Sequence, residues 1–302
     1  MRVLDREEAP LAEVIRGDFP IVEEHGGAPR LPLSIAALNL GPEPGGVPNN
    51  LRLAGRAIRR LCRQDPSLRW VVLPELFTCG YSDLGSVHRH AEDAGSGESA
   101  RFFAGLAREL GIFVAYGFPE RGPLGGVFDS ANLVGPGGVI ATYRKRNLVE
   151  TTLEYRVFAA GADLPVVEAG GLRVALAVCW DLGFPEVARE AAAGGAELLL
   201  APAAWREPWG AQYALSCAAR ALDSGIHLAS ANQLGDYPEA RFGAPGHVYG
   251  PDGARISRRI GAASVARLDP DAPELWRGFY GDTLIGRGRI VGIDEGSLGI
   301  VS

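Results

Sequence analysis

VALAVCWDLGFPEVAREAAAGGAELLLAP, residues 174–202, carries a strand, a turn, a helix and a second strand in unbroken succession. The run Val174–Val178 is apolar at every position, as in a strand buried on both faces, and Leu198–Ala201 repeats that character. Pro185 suits the first turn of a helix and Gly194–Gly195 its end. Cys179 therefore sits at the C-terminal end of a buried strand, just before a helix N-terminus. That is where α/β sheets place their ligands and where a helix dipole favours a thiolate.

Working outward, the same alternation continues along the chain. Strand candidates are Leu33–Leu40, Arg69–Pro74, Ile112–Phe118, Leu164–Val167 and Ile226–Asn232, with shorter ones near His247–Tyr249, Ala254–Ser257 and Ser264–Leu268. Phe128–Val134 and Val139–Tyr143 flank the turn Gly135–Gly138 as a hairpin would. Helices are expected over about Asn50–Arg63, where Leu51, Ala54, Ile58 and Leu61 form an apolar face, and over Gly97–Leu110 and Pro208–Ser224. The pattern implies one α/β domain over residues 33–268, a mixed sheet covered by helices. Residues 1–32 read as an N-terminal extension, and 269–302 as a C-terminal tail with a short helix around Glu274–Phe279.

A chain of 302 residues with 47% hydrophobic and 22% charged content can bury a sizeable core. Its net charge of -6 and pI near 5.5 give no footing for a nucleic-acid partner, and Arg144–Lys145–Arg146 is too short a basic run to change that. Cys62, Cys79, Cys179 and Cys217 show no metal-ligand spacing and no disulfide framework. The N-terminus lacks a signal-peptide core, and no window approaches the roughly 20 apolar residues of a membrane span. A cytoplasmic protein without a metal, cofactor or membrane partner is expected.

Three polar residues follow strands: Glu75 after Arg69–Pro74, Lys145 after the hairpin, and Cys179. They could meet at one sheet edge. A catalytic cysteine needs a base and a stabiliser for the oxyanion it creates. A desolvated carboxylate can serve as base and then acid, while an ammonium lowers the thiol pKa and holds the oxyanion. Each residue also has a plainer reading: the thiol as a small hydrophobe, the glutamate as a cap, the lysine as part of a solvated patch. Cys79 is a rival nucleophile, whereas Cys62 and Cys217 read as packing. Phe77, Tyr81, Trp180 and Trp205 suit either a pocket wall or the core, and Asp181 either orients the turn or caps the next helix. A papain-like site would draw on His227, His247 and Asn232, but the C-G-[SA]-C-[WY] context is missing.

Six stretches in order carry a resemblance: LPELFTCGYS (73–82), YRKRNL (143–148), LEYRVFAAGAD (153–163), VCWDLGFPEVARE (178–190), GAELLLAPAAW (195–205) and SANQLG (230–235). The chain resembles the nitrilase or carbon-nitrogen hydrolase superfamily over roughly residues 33–268. The resemblance implies a four-layer αββα sandwich and a Glu-Lys-Cys triad at Glu75, Lys145 and Cys179. It further implies a second glutamate at Glu154 that positions Lys145 or Glu75, and an oxyanion contact from the Trp180 backbone N–H. It also implies a homodimer or larger oligomer, with the small residues of Val187–Gly195 available for close packing between copies or within one. Departures from the family pattern fall at Asn147, where His is frequent, at Asp223–Ser224, where Glu-Asn is frequent, and at Gly246, where Ser is frequent. Cys-Trp-Asp followed by Phe-Pro-Glu looks like the amidase and carbamoylase branches. The expected substrate is a small linear amide or carbamoyl compound, with Phe77, Tyr81 and Trp205 lining its site. A nitrile substrate and a non-catalytic ligand-binding relative are the alternatives.

Overall fold

Side chains of the first strand, β1 (Leu33–Leu38), alternate between two cores. Ile35 and Ala37 join a cluster shared with a second sheet, while Ala36 and Leu38 join one shared with helices. A strand of period two that is apolar on both faces must be covered on both, and this is what fixes the layering. The computed structural model describes residues 30–280. The proposed N-terminal extension up to residue 29 and the tail from residue 281 lie outside the described residues.

The first sheet has seven strands, in the order β13 (Arg258–Ile260), β14 (Ala263–Leu268), β1, β2 (Leu68–Val72), β3 (Phe113–Arg121), β4 (Val127–Gly135) and β5 (Gly138–Arg144). The β1–β2 and β2–β3 pairs are parallel, and β3–β4–β5 is an antiparallel meander. Its outer face carries α1 (Val47–Gln64) and α2 (Glu98–Leu110), which bury Leu51, Ala54, Ile58, Phe103 and Leu106. The second sheet has five strands, β12 (Val248–Tyr249), β9 (His227–Asn232), β8 (Leu198–Ala203), β7 (Leu172–Leu176) and β6 (Val166–Ala169). Its β7, β8 and β9 run parallel. Two helices, α4 (Pro185–Ala193) and α5 (Gly210–Ser224), belong to its cluster through Val187, Ala191, Tyr213 and Cys217. A very short helix, α3 (Glu154–Val157), precedes β6, and a two-stranded ribbon pairs β10 (Gly235–Asp236) with β11 (Arg241–Phe242). The result is the expected αββα sandwich, with Trp70, Val72, Ala115 and Leu133 of one sheet meeting Val174 and Leu176 of the other.

Several strand limits shift by one to three residues from expectation, and two differences have clear local reasons. The strand of the opening segment ends at Leu176 rather than Val178, because the Val178 N–H bonds the Asp181 carboxylate at 2.9 Å and leaves the ladder. Residues 254–257 form no named strand; Arg255 makes one bridge to Tyr249, and the Ser257 hydroxyl accepts the Val248 N–H at 3.1 Å where a backbone carbonyl would otherwise stand. Beyond β14, α6 (Ala272–Tyr280) follows, and Arg30 joins the two ends of the described chain through Asp271 at 2.8 Å. No helix among the described residues is long and apolar enough to cross a membrane.

Candidate active site

Glu75 lies three residues past the end of β2, and the chain turns sharply after it: Leu76 has φ of 44°. Only Leu76 and Cys179, at φ 47°, occupy the left-handed region without being glycine among the described residues. The Glu75 turn is pressed against β3 at Gly117, where a Cβ would stand 2.4 Å from Leu76 N and 2.6 Å from Glu75 Cα. Glycine there lets the Glu75 backbone approach β3, and the Gly117 N–H bonds the Pro74 carbonyl at 3.1 Å.

Lys145 follows β5, is fully buried, and reaches across to three carboxyl groups. Its Nζ lies 2.5 Å from Glu75 Oε1, 2.9 Å from Glu154 and 3.4 Å from Asp129 Oδ2. Burial alone would lower the lysine pKa, but the charges of Glu154 and Glu75 oppose it, and the ammonium is held well above its usual range. Glu154, in α3, feels an opposing burial effect, yet Lys145, the Tyr81 hydroxyl and the Val149 N–H at 2.9 Å together hold its carboxyl below the usual range. One oxygen from each of Glu75, Asp129 and Glu154 lies within 4.8 Å of the others, a grouping that could suit a cation. The place a cation would take among them is held by the Lys145 ammonium. Of the two roles expected for Glu154, the hydrogen bond to Lys145 is the one formed.

Cys179 opens a 3₁₀ turn, Cys179–Gly183, at the end of the β7 segment. The N–H groups of a first turn have no acceptor within their own helix, and that of Trp180 is among them. Asp181 fastens the turn. Its Oδ2 accepts the Val178 N–H and the Tyr143 hydroxyl, each at 2.9 Å, and its Oδ1 accepts the Asn147 N–H at 2.9 Å and Nδ2 at 2.8 Å. Tyr143 and Asn147 flank Lys145 by two residues on each side, so the Cys179 turn and the lysine strand are joined through one carboxylate. The thiol itself departs from expectation. Burial pushes its pKa well above the usual range, the Glu75 charge adds to this, and Lys145 and the Ala204 N–H oppose without overcoming it. The burial of Cys179 thus favours the neutral thiol over the thiolate.

A pocket of about 340 Å³ opens over this group. Cys179, Glu154, Ala204 and Trp205 are its buried parts, Tyr81 and Trp180 are half-buried, and Arg206, Trp209 and Gln212 stand exposed at its rim. Trp205 packs on Trp180 with ring centroids 5.3 Å apart, and Asn232 clamps its backbone by accepting the Trp205 N–H at 2.6 Å and donating to its carbonyl at 3.0 Å. Tyr81 and Trp205 thus line the pocket as expected. Phe77 does not: it is fully buried in the cluster between the first sheet and its helices, because it points away from the pocket toward α1 and α2. Cys79 is also no rival, since it is buried in a separate cluster beside Leu76 and Leu84 and does not line the pocket. His227 bonds the Asp269 carbonyl at 2.8 Å and His247 the Ser257 hydroxyl at 3.1 Å, so neither histidine serves the thiol. Asp129 was not foreseen. It lies inside β4, and the signal available for it was a lone acid within an apolar strand.

The departures noted in the sequence have structural partners. Asn147 is part of the Asp181 brace. At Gly246 a Cβ would come within 2.0 Å of the Ser230 carbonyl oxygen, so glycine is required there.

Residues 34–272 match the carbon-nitrogen hydrolase family. A probable nitrilase of Schizosaccharomyces pombe is 30% identical over 254 residues, covering 82% of this chain and 93% of its own. An omega-amidase of Danio rerio is 30% identical, covering 67% of this chain and 76% of its own. Among solved structures, a Nesterenkonia amidase mutant aligns with a TM-score of 0.70 at 30% identity, covering 82% of this chain and 95% of its own. That structure shows the acetamide moiety of fluoroacetamide added covalently at the active-site cysteine of the amidase.

Proposed function

This chain belongs to the carbon-nitrogen hydrolase family and is a hydrolase that acts on amides through an active-site cysteine; from that premise we propose that Cys179 is its nucleophile, that Glu75 and Lys145 complete the triad, and that its substrates are small linear amides or carbamoyl compounds. The observation that carries this reading is the burial of Lys145 Nζ between Glu75 at 2.5 Å and Glu154 at 2.9 Å, beneath a pocket floored by Cys179.

The steps follow from the charges. Because the resting thiol is protonated, Glu75 removes its proton as sulfur attacks the carbonyl carbon, forming the C–S bond. The negative oxygen that develops is held by a Lys145 N–H and the Trp180 backbone N–H. Collapse breaks the C–N bond, and the protonated Glu75 passes its proton to the departing ammonia or amine. Water then enters, gives a proton to Glu75 and attacks the thioester; when the C–S bond breaks, that proton returns to sulfur. Glu154 keeps Lys145 charged and in place throughout. A pocket of about 340 Å³, near the lower end of small-molecule sites, suits a short acyl group between Tyr81 and Trp205.

The reading extends to the setting and the assembly. None of the four cysteines is paired, which favours a reducing compartment, the cytoplasm. The small residues Val187, Ala188, Ala191 and Ala192 of α4 are spent inside the chain's own core, whereas Leu215 and Leu222 on α5 are 69% and 44% exposed. The α5 face is therefore the better candidate for joining two copies, and sedimentation of a Leu215→Glu variant tests it: the mass falls to that of one chain, or the face is not the interface.

Ammonia release from a panel of short amides, carbamoyl compounds and nitriles tests the activity. Turnover of amides or carbamoyl compounds, abolished by Cys179→Ala, is expected. Turnover confined to nitriles overturns the substrate class, and equal turnover by the Ala variant removes Cys179 from the site.

A further inference from the structure

Three buried carboxyl oxygens in the cluster have no donor: Oε2 of Glu75 and both oxygens of Asp129. The two side chains are fully buried and contribute oxygens within 4.8 Å of each other. Two carboxylates that face each other without a protein donor between them are repelled, and each unsatisfied oxygen costs the desolvation it has suffered. Lys145 does not resolve the conflict, since its short contacts go to Glu75 Oε1 and Glu154 and it stands 3.4 Å from Asp129. A single proton does resolve it, by turning one acceptor into a donor.

We propose that Asp129 carries its proton and donates it in a hydrogen bond to Oε2 of Glu75, acting as a positioning residue for the base. This rests on the amide-hydrolase reading for its consequence, though not for its geometry. The groups facing Asp129 all act in one direction or are already engaged. Glu75, beyond β2, and Glu154, in α3, bring negative charge; Lys145, beyond β5, is shared between those two; Cys79 and Cys179 are buried thiols. Burial and the Glu75 charge accordingly hold the Asp129 carboxyl well above its usual range.

The arrangement has two effects on the reaction. Glu75 receives donors on both oxygens, Lys145 on Oε1 and Asp129 on Oε2, so its carboxyl group is fixed in plane while remaining able to take the thiol proton. An un-ionised Asp129 also leaves Lys145 with only two carboxylates to satisfy, and its third N–H is free for the substrate oxygen. No proton is consumed, because Asp129 keeps its own through both half-reactions.

Two measurements test this. The infrared difference between the wild-type protein and Asp129→Asn at pH 7 is expected to contain the C=O band of an un-ionised carboxyl belonging to the wild type; a difference showing only a carboxylate overturns the proposal, whatever the activity of the protein. In turnover, Asp129→Asn retains an N–H donor toward Glu75 and should keep most of kcat, whereas Asp129→Leu, of similar size and with no donor, should lose about 10²-fold in kcat with KM little changed. Equal loss in both variants overturns the proposal. Absence of amide turnover in the wild type would count against the substrate reading alone, and the infrared result would still decide the protonation of Asp129.

Discussion

Asn147 donates two hydrogen bonds to one oxygen of Asp181, from its backbone N–H at 2.9 Å and from Nδ2 at 2.8 Å. The other oxygen takes the Tyr143 hydroxyl and the Val178 N–H. Asp181 thus grips both the residue preceding Cys179 and the two residues that bracket Lys145, tying the Cys179 turn to the Lys145 segment.

Asp181→Ala leaves four donors without an acceptor, two of them buried. It is expected to lower the unfolding free energy by about 3 kcal/mol or more and to depress kcat in the fraction that remains folded. Urea unfolding and turnover measured on the same preparation check both. Full kcat in a destabilised variant would mean that the brace holds the fold together without setting the site.

The proposed triad was suggested by position and named by the resemblance: each member stands where a strand ends, visible in sequence as a strand-like run that stops before it, RWVVLP before Glu75, VIATYR before Lys145, VALAV before Cys179. What brings those ends together is the pairing order of two sheets, and nothing local encodes it. Asp129 was hidden for that reason. Within FDSANLV it reads as one polar residue of a hairpin, and only the register of β4 against β3 and β5 turns it toward Lys145. Phe77 failed in the opposite way: two residues past Glu75 and aromatic, it looked like pocket wall, but the turn at Leu76 sends it to the far side of the sheet. Lys145, visible in the sequence as a neighbour that would lower the thiol pKa, is outweighed by a depth of burial that the sequence does not show.

Gly117→Ala places a methyl group against the backbone of Glu75 and Leu76, at 2.6 Å and 2.4 Å in the present geometry. Backbone cannot swing aside as a side-chain tip can, so the Glu75 turn must move. Overpacking of this kind costs about 1–3 kcal/mol, and the displaced base should reduce kcat more than it raises KM. Thermal unfolding and steady-state kinetics provide the check; an unchanged kcat would show that Glu75 tolerates the shift.

Glu75→Gln keeps the shape of the side chain and removes its ability to accept a proton. Both half-reactions need that transfer, so turnover should fall by about 10²-fold or more. Where a reactive amide still acylates Cys179 slowly, intact-mass spectrometry should find the adduct accumulating on the variant. Wild-type turnover without an adduct would assign the base elsewhere.

Stability should decline on the alkaline side, and Cys79 supplies a quantitative handle. Burial pushes its thiol up to about 12, while an unfolded cysteine titrates near ~8.5. Between those values the unfolded chain has released a proton that the folded chain retains, so rising pH favours unfolding. Its contribution is fully present below about pH 8.5 and disappears progressively as pH climbs toward the folded value, amounting to about 2 kcal/mol by pH 10. Cys79→Ser removes the titration while keeping a small side chain. Urea unfolding under reducing conditions at pH 8, 9 and 10 should therefore give a shallower pH slope for the variant than for the wild type, whatever the fixed cost of the substitution. Parallel slopes would mean that Cys79 is already ionised, or already solvated, in the folded protein.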